Sequence, residues 1–279
     1  KKDSEGLGFA SRQVQIKKNR PRDITLGIFC LIVLLAVLLV LGSFVVMTFM
    51  AKYPYNTSFT FAHIEKMASR GMWDFFGNSL LIAALVALFG TFIAYITAYS
   101  TARTANVLVT RLLHLTAIAS IAIPGIVLGL GYVITFKNTF IYGTILILVL
   151  VNIIHFFSSP YMMAHNAMKK MNANFEDVGK TLAVSRLRLL RDLFVPNTLD
   201  TIAEMFVYFF VNAMITISAV AFLYNTRTMP LSLLINQLEG DMMLEAAAFV
   251  SLVILFSNIV AKIAVGLVKK GCQRIQGNR

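Results

Sequence analysis

The chain has 279 residues, of which 58% are hydrophobic and only 14% charged, with a mean hydropathy of +0.75 and a formal net charge of +12. That balance is far more apolar than a soluble domain tolerates, which excludes a water-soluble enzyme or binding module. Two cysteines, Cys30 and Cys272, offer no disulfide framework, and four histidines at 63, 114, 155 and 165 share no helical turn, so no dedicated metal site is expected.

In chain order, the opening stretch 1–23 is polar and basic without apolar periodicity and reads as a cytoplasmic tail or linker. Six apolar stretches follow, at 26–50, 76–99, 112–136, 141–163, 198–223 and 244–268, and 271–279 forms a second tail. Each stretch is long enough to cross a bilayer, which takes about 20 residues as a helix. None shows the alternation of a barrel strand, so the fold class is all-α: a polytopic membrane protein with six transmembrane helices in the lipid bilayer. Of the 25 Lys and Arg, 20 fall in residues 1–23, in the segments between spans two and three and between four and five, and from Lys262 to the end. By the positive-inside rule both termini and 164–197 face the cytoplasm. This distribution accounts for the whole positive excess, and no basic groove interleaved with aromatics points to nucleic acid.

Span three carries IAIPGIVLGLG, in which Pro124 kinks a helix and Gly125 and Gly129 let another helix approach closely. Tight packing and a hinge fit this run equally well. In span five, Asn212 and Thr216 lie one turn apart, with Ser218 just beyond; they either line a water-filled path or hydrogen-bond between helices. Asp200 and Glu204 share a helix face and, like Lys262, fit the cytoplasmic membrane surface better than the hydrocarbon. His155 is the one mid-span candidate for an intramembrane enzyme, and a packing role suits it better.

Between spans four and five runs EDVGKTLAVSRLRLLRDLFVP, residues 176–196. Gly179-Lys180-Thr181 is the tail of a phosphate loop, but Asn174 stands where the earlier glycine must turn, so no nucleotide site is expected. Asn174 can cap a short helix, with Asp177 as the acid of a capping box. Phe175, Val178 and Leu182 would share one face, Gly179 would keep it small, and Pro196 suits the first turn of the next span. Arg186, Arg188 and Arg191 can reach lipid headgroups.

This segment resembles the EAA loop of binding-protein-dependent ABC transporter permeases of type I. Glu176-Asp177-Val178-Gly179 stands for the acid and small-residue box, Ala183 for the family glycine, Ser185-Arg186 for its followers and Leu193-Phe194-Val195-Pro196 for the close, with no gap. Asp177, Val178, Ala183 and Asp200 depart from the family's glutamate, alanine, glycine and second proline. Alanine at 183 argues against a left-handed turn there. Asn78-Ser79-Leu80 is similar to the start of the family's transmembrane core, and FVNAMITISAVAFLY at 209–223 to span five of its ferric-iron, 2-aminoethylphosphonate and polyamine branch. Some members of that branch fuse two permease units, and a basic opening without methionine would agree with the second half of such a chain.

The resemblance implies a permease domain over 24–270 with its coupling loop at 172–197. Glu176, Asp177, Val178, Gly179, Leu182, Ala183 and Pro196 would couple to a cytoplasmic ABC ATPase dimer, which carries the ATP and Mg; this chain binds no cofactor and is no enzyme. A second permease unit, identical, different or fused, would complete the pathway. An extracytoplasmic solute-binding protein would deliver cargo to the outer segments 51–72 and 224–243. The expected location is the bacterial cytoplasmic (inner) membrane, and the cargo a small polar or anionic solute: 2-aminoethylphosphonate or ferric iron before polyamine. A secondary transporter or channel is the alternative, but it would be expected to show strong intramembrane charges or an inverted repeat.

Overall fold

The computed structural model describes residues 19–104, 107–172 and 174–277, with side chains through Gly271. The stretch 1–18 of the expected N-terminal tail and residues 278–279 lie outside the described residues. In order, the elements are α1 (Arg20–Thr48), a hairpin of β1 (Met50–Lys52) and β2 (Asn56–Phe59), α2 (Ala62–Ser69), α3 (Met72–Arg103), α4 (Val107–Ala119) and α5 (Gly125–Phe136). Then come α6 (Ile145–His155), α7 (Ser158–Lys169), α8 (Phe175–Thr181), α9 (Arg186–Leu189), α10 (Val195–Asn197), α11 (Leu199–Ile215), α12 (Leu231–Gly240) and α13 (Leu244–Gly277). The chain forms two compact units, one ending at Phe44 and the other beginning at Val45.

The first unit is the apolar rod of α1, whose large side chains from Ile24 to Leu41 are exposed, as befits a helix solvated by lipid rather than water. In the second unit, α3 is the central helix. Its small residues Ala83, Ala87, Gly90, Ala94 and Ala98 are all buried at intervals of three or four, which gives one narrow face along which α7 and α11 lie close. A Cβ on Gly90 would stand 3.0 Å from the Phe209 ring of α11. Where lipid removes the hydrophobic drive for association, such close packing of small residues is what holds helices together.

Among the described residues three helices, α1, α3 and α13, are long and apolar enough to cross a membrane singly, and three bent pairs bring the number of crossings up to six if each pair is one span. The bends are where the sequence reading is corrected. Instead of one kinked helix over 112–136, the chain turns by 108° at Pro124. Proline disfavours the α region for its predecessor, and Ile123 is accordingly extended at φ −99°, ψ 115°. The stretch 141–163 is broken by 52° at Phe156–Phe157. Pro160 has no N–H for the Phe156 carbonyl, and the Ser158 hydroxyl turns outward to the carbonyls of Ala117 and Ile118 at 2.8 and 3.0 Å.

Span five, expected as a helix over 198–223, stops at Ile215. Thr216 donates its hydroxyl to the Asn212 carbonyl while its own carbonyl accepts from Ser232 Oγ at 2.6 Å, and its backbone is extended. Side-chain bonding to nearby backbone competes with the helix ladder. Residues 218–223 are therefore turns despite their apolar composition. The expected outer segment 224–243 is no free loop either, since α12 buries Leu231, Leu233, Leu234 and Leu238. Asn78 Nδ2 donates to the carbonyls of Arg227 and Met229 at 2.8 and 3.2 Å, and Ser79 Oγ accepts the Leu231 N–H at 2.7 Å. Residues at the start of α3 thus clamp the approach to α12. Helix begins at Arg20 and α13 continues to Gly277, so parts of both expected tails are helical.

Candidate functional site

The segment following α7 folds as a helix, a left-handed turn and a second helical stretch. Asn174 has helical backbone angles and makes no side-chain cap, so the expected capping box does not form; its N–H bonds Asn172 Oδ1 at 2.9 Å instead. The cap in this segment is Ser185, whose hydroxyl accepts the Arg188 N–H at 3.3 Å and opens α9. Between them α8 ends with the Val184 N–H on the Gly179 carbonyl at 2.8 Å and the Ala183 N–H on that of Lys180 at 3.1 Å. That bond pair requires a left-handed residue, and Ala183 supplies it at φ 53°. The turn that alanine argued against is therefore present.

Gly179, Lys180 and Thr181 are the last helical residues of α8, so their backbone is committed to the helix and does not form a phosphate cradle. Gly179 is buried, but a Cβ there would meet Leu189 at an ordinary 3.5 Å, so packing within the chain does not demand glycine. Beyond α9 a single π turn, Leu190–Phe194, leads to α10, and Pro196 lies in that short helix rather than in α11. The chain then bends by 80° around Thr198, whose hydroxyl bonds Tyr95 of α3 at 2.7 Å.

The two acids of the box point in opposite directions. Asp177 is exposed and pairs with exposed Lys180 at 2.8 Å. Glu176 turns inward to Arg103, the last residue of α3, at 3.4 Å. The Arg103 side chain, 6% exposed, also donates to the carbonyls of Met168 (2.7 Å), Met171 (3.0 Å) and Asn172 (3.2 Å), and lies 4.9 Å from the centre of the Phe194 ring. One guanidinium thus ends α7 and touches both halves of the loop. The sequence reading counted Arg103 only as a topological charge; its signal was a lone arginine closing a long apolar run, with an acid downstream to neutralise it.

Outward, Val178, Leu182 and Leu187 are 51%, 68% and 75% exposed. Beside them a cleft of about 320 Å³ runs between α8 and α9, lined by Phe175, Val178, Leu182, Leu189 and Leu193 with Arg188 and Asp192 at its edge. An apolar face flanked by charge is suited to docking.

The expected pathway residues face different surroundings. Thr216 is buried and spends its hydroxyl on Asn212. Asn212 lines a groove of about 590 Å³ between α11 and α13, together with Glu204, Tyr208, Asn258 and Lys262. Asp200, at the same end of α11, pairs with Lys269 at 3.2 Å. Ser218 sits instead at the Pro124 break: a Cβ on Gly125 would lie within 3.1 Å of both Ser218 Oγ and His155, and one on Gly129 would stand 2.6 Å from the Ala219 carbonyl oxygen. Gly125 and Gly129 are thus the contact face of α5 for the turn after α11, at the foot of a sharp bend.

The family described as "Binding-protein-dependent transport system inner membrane component" matches residues 90–273. Among solved structures the chain is similar to a bacterial alginate ABC transporter in complex with an alginate pentasaccharide-bound periplasmic protein, with a TM-score of 0.71 and 16% identity over 88% of this chain and 93% of that one. It is similar too to a bacterial ABC transporter involved in import of the acidic polysaccharide alginate (TM-score 0.69, 15% identity, 92% and 99% covered). A third likeness is to the inward-facing MetNI methionine ABC transporter (TM-score 0.57, 11% identity, 75% and 97% covered). No curated protein matches the sequence significantly. Identities this low speak for the fold alone, but the family match spans most of the chain and takes in the whole 174–196 loop. The chain belongs to the binding-protein-dependent transport system inner membrane components, the permease subunits of ABC importers.

Proposed function

We propose that this permease forms half of a translocation pathway for a small polar or anionic solute, and that the loop at 172–197 docks it on a cytoplasmic ABC ATPase dimer. The observation that carries the reading is the exposed apolar face of Val178 and Leu182 beside outward-facing Asp177, while the adjacent acid Glu176 is tied into the helices. ATP and Mg belong to the ATPase. Closure of its two subunits would move two permease units between inward-open and outward-open arrangements, and an extracytoplasmic solute-binding protein would deliver the cargo. The lysine and arginine distribution supports placing the loop and both termini in the cytoplasm of a bacterial inner-membrane protein.

Asn212 and Ser218 are proposed as contacts of the moving solute, since one faces the groove and the other the bend at which three elements meet. Thr216 is assigned to holding the end of α11. The order of cargo, 2-aminoethylphosphonate or ferric iron before polyamine, rests on the sequence of span five. The test is uptake into vesicles holding the permease pair, the ATPase and the binding protein. Accumulation of one of these solutes, only with ATP and only with the binding protein, is expected. Uptake that persists without ATP would overturn the reading in favour of a secondary transporter.

A further inference from the structure

We infer that Arg103 is the positioning residue that makes the docking segment move with α3 and α7 as one body, through its ion pair with Glu176. This rests on the reading of 172–197 as the ATPase-docking loop and names the joint by which force leaves it.

The geometry distinguishes this role from simple capping of a helix end. A cap on α7 needs only the carbonyls of Met168, Met171 and Asn172, and Arg103 serves all three. The same guanidinium goes further, reaching the Glu176 carboxylate in the first turn of α8 and the ring of Phe194 eighteen residues later, at the other end of the loop. Phe194 is fully buried and also packs edge-on against Tyr99, one turn before Arg103 on α3. Both ends of the docking segment therefore close on the last turn of α3.

Arg103 is on α3 and its three carbonyl bonds fall at the end of α7, so it belongs to the α3–α7 body, and Glu176 at 3.4 Å is the hook by which α8 is held. Both side chains are largely buried, at 6% and 16% exposure, where screening by water is weak and a charge left without its partner is costly. Asp177, one residue on, is exposed and takes no part in the hook. Holding and docking are thus divided between adjacent acids.

The experiment uses the assembled complex in vesicles, with Glu176→Gln and Arg103→Gln as single variants and together, and reads solute transported per ATP hydrolysed. Either single change is expected to lower that ratio about tenfold, the scale of one charge-assisted hydrogen bond, while the ATPase still co-purifies. The double variant is expected to be no worse than the worse single, because the two residues act as one unit. Where Arg103→Gln fails to fold, having orphaned three carbonyls, the near-isosteric Glu176→Gln decides alone. Transport and ATP hydrolysis falling together with an unchanged ratio would reduce Arg103 to a structural cap and overturn the inference. A wild-type chain that brings down no ATPase would overturn the docking reading itself, a result separable from the first.

Discussion

Ala183 holds a left-handed backbone without being glycine, at a cost of roughly 1–2 kcal/mol for an L side chain. The two bonds that close the end of α8 keep it there, against the preference of its own residue type. Ala183→Gly should therefore tighten the turn by about 1 kcal/mol, seen as about fivefold slower hydrogen exchange at the amides of 183 and 184. Unchanged or faster exchange would mean that alanine is unstrained there. The close contacts of α5 make a paired prediction. Gly129→Ala would place a methyl 2.6 Å from a backbone oxygen that cannot rotate away, and should cost about 1–3 kcal/mol in thermal melting. Gly131→Ala, with nothing within 4 Å, should be neutral or mildly stabilising. Equal effects would contradict the packing described.

These residues also show what a sequence can and cannot say. Pro124 was legible as an interruption of the helix because proline acts through the local backbone, though the size of the bend was not. Arg103 was not, because its partners lie 65 to 91 positions away and only the fold brings them together. The pathway residues fared differently again: Asn212 and Thr216 do share a turn, yet Thr216 is consumed by ending the helix that was expected to present it.

At the scale of elements, hydropathy located the apolar stretches but not their breaks. An apolar run such as 218–223 is compatible with helix or with buried turn, and Thr216 and Ser232 decide between them through side-chain bonds that hydropathy does not register. The same holds for α12, which contributes to the core although its position between spans suggested an outer loop. Its attachment depends on the start of α3. Ser79→Ala would leave the buried Leu231 N–H without its acceptor, at a cost of about 1–3 kcal/mol. With Asn78→Ala as well, trypsin should cut after exposed Arg227 several-fold faster than in the wild type, while α3 itself stays helical by circular dichroism. An unchanged cleavage rate would show that the clamp contributes nothing.

At the scale of the molecule, the bends at Pro124, Phe156–Phe157 and Thr198 give the permease a jointed interior instead of a bundle of straight rods. One joint, at Thr198, directly follows the proposed docking segment and is tied by Tyr95 to the central helix α3. Force applied to α8 has two routes inward: through Glu176 and Arg103 to α3 and α7, and through the Thr198 bend to α11. Those three helices pack directly on one another, so both routes arrive at the same core.

The claim on which this account turns is that the exposed side of α8 is an ATPase seat. The most direct measurement is purification of the tagged permease from membranes that also hold its ATPase, comparing the wild type with Asp177→Arg. The account predicts stoichiometric ATPase with the wild type, and its loss, together with ATP-driven uptake, in a variant whose thermal stability is unchanged. An Asp177→Arg variant that keeps its ATPase and transports normally would contradict it.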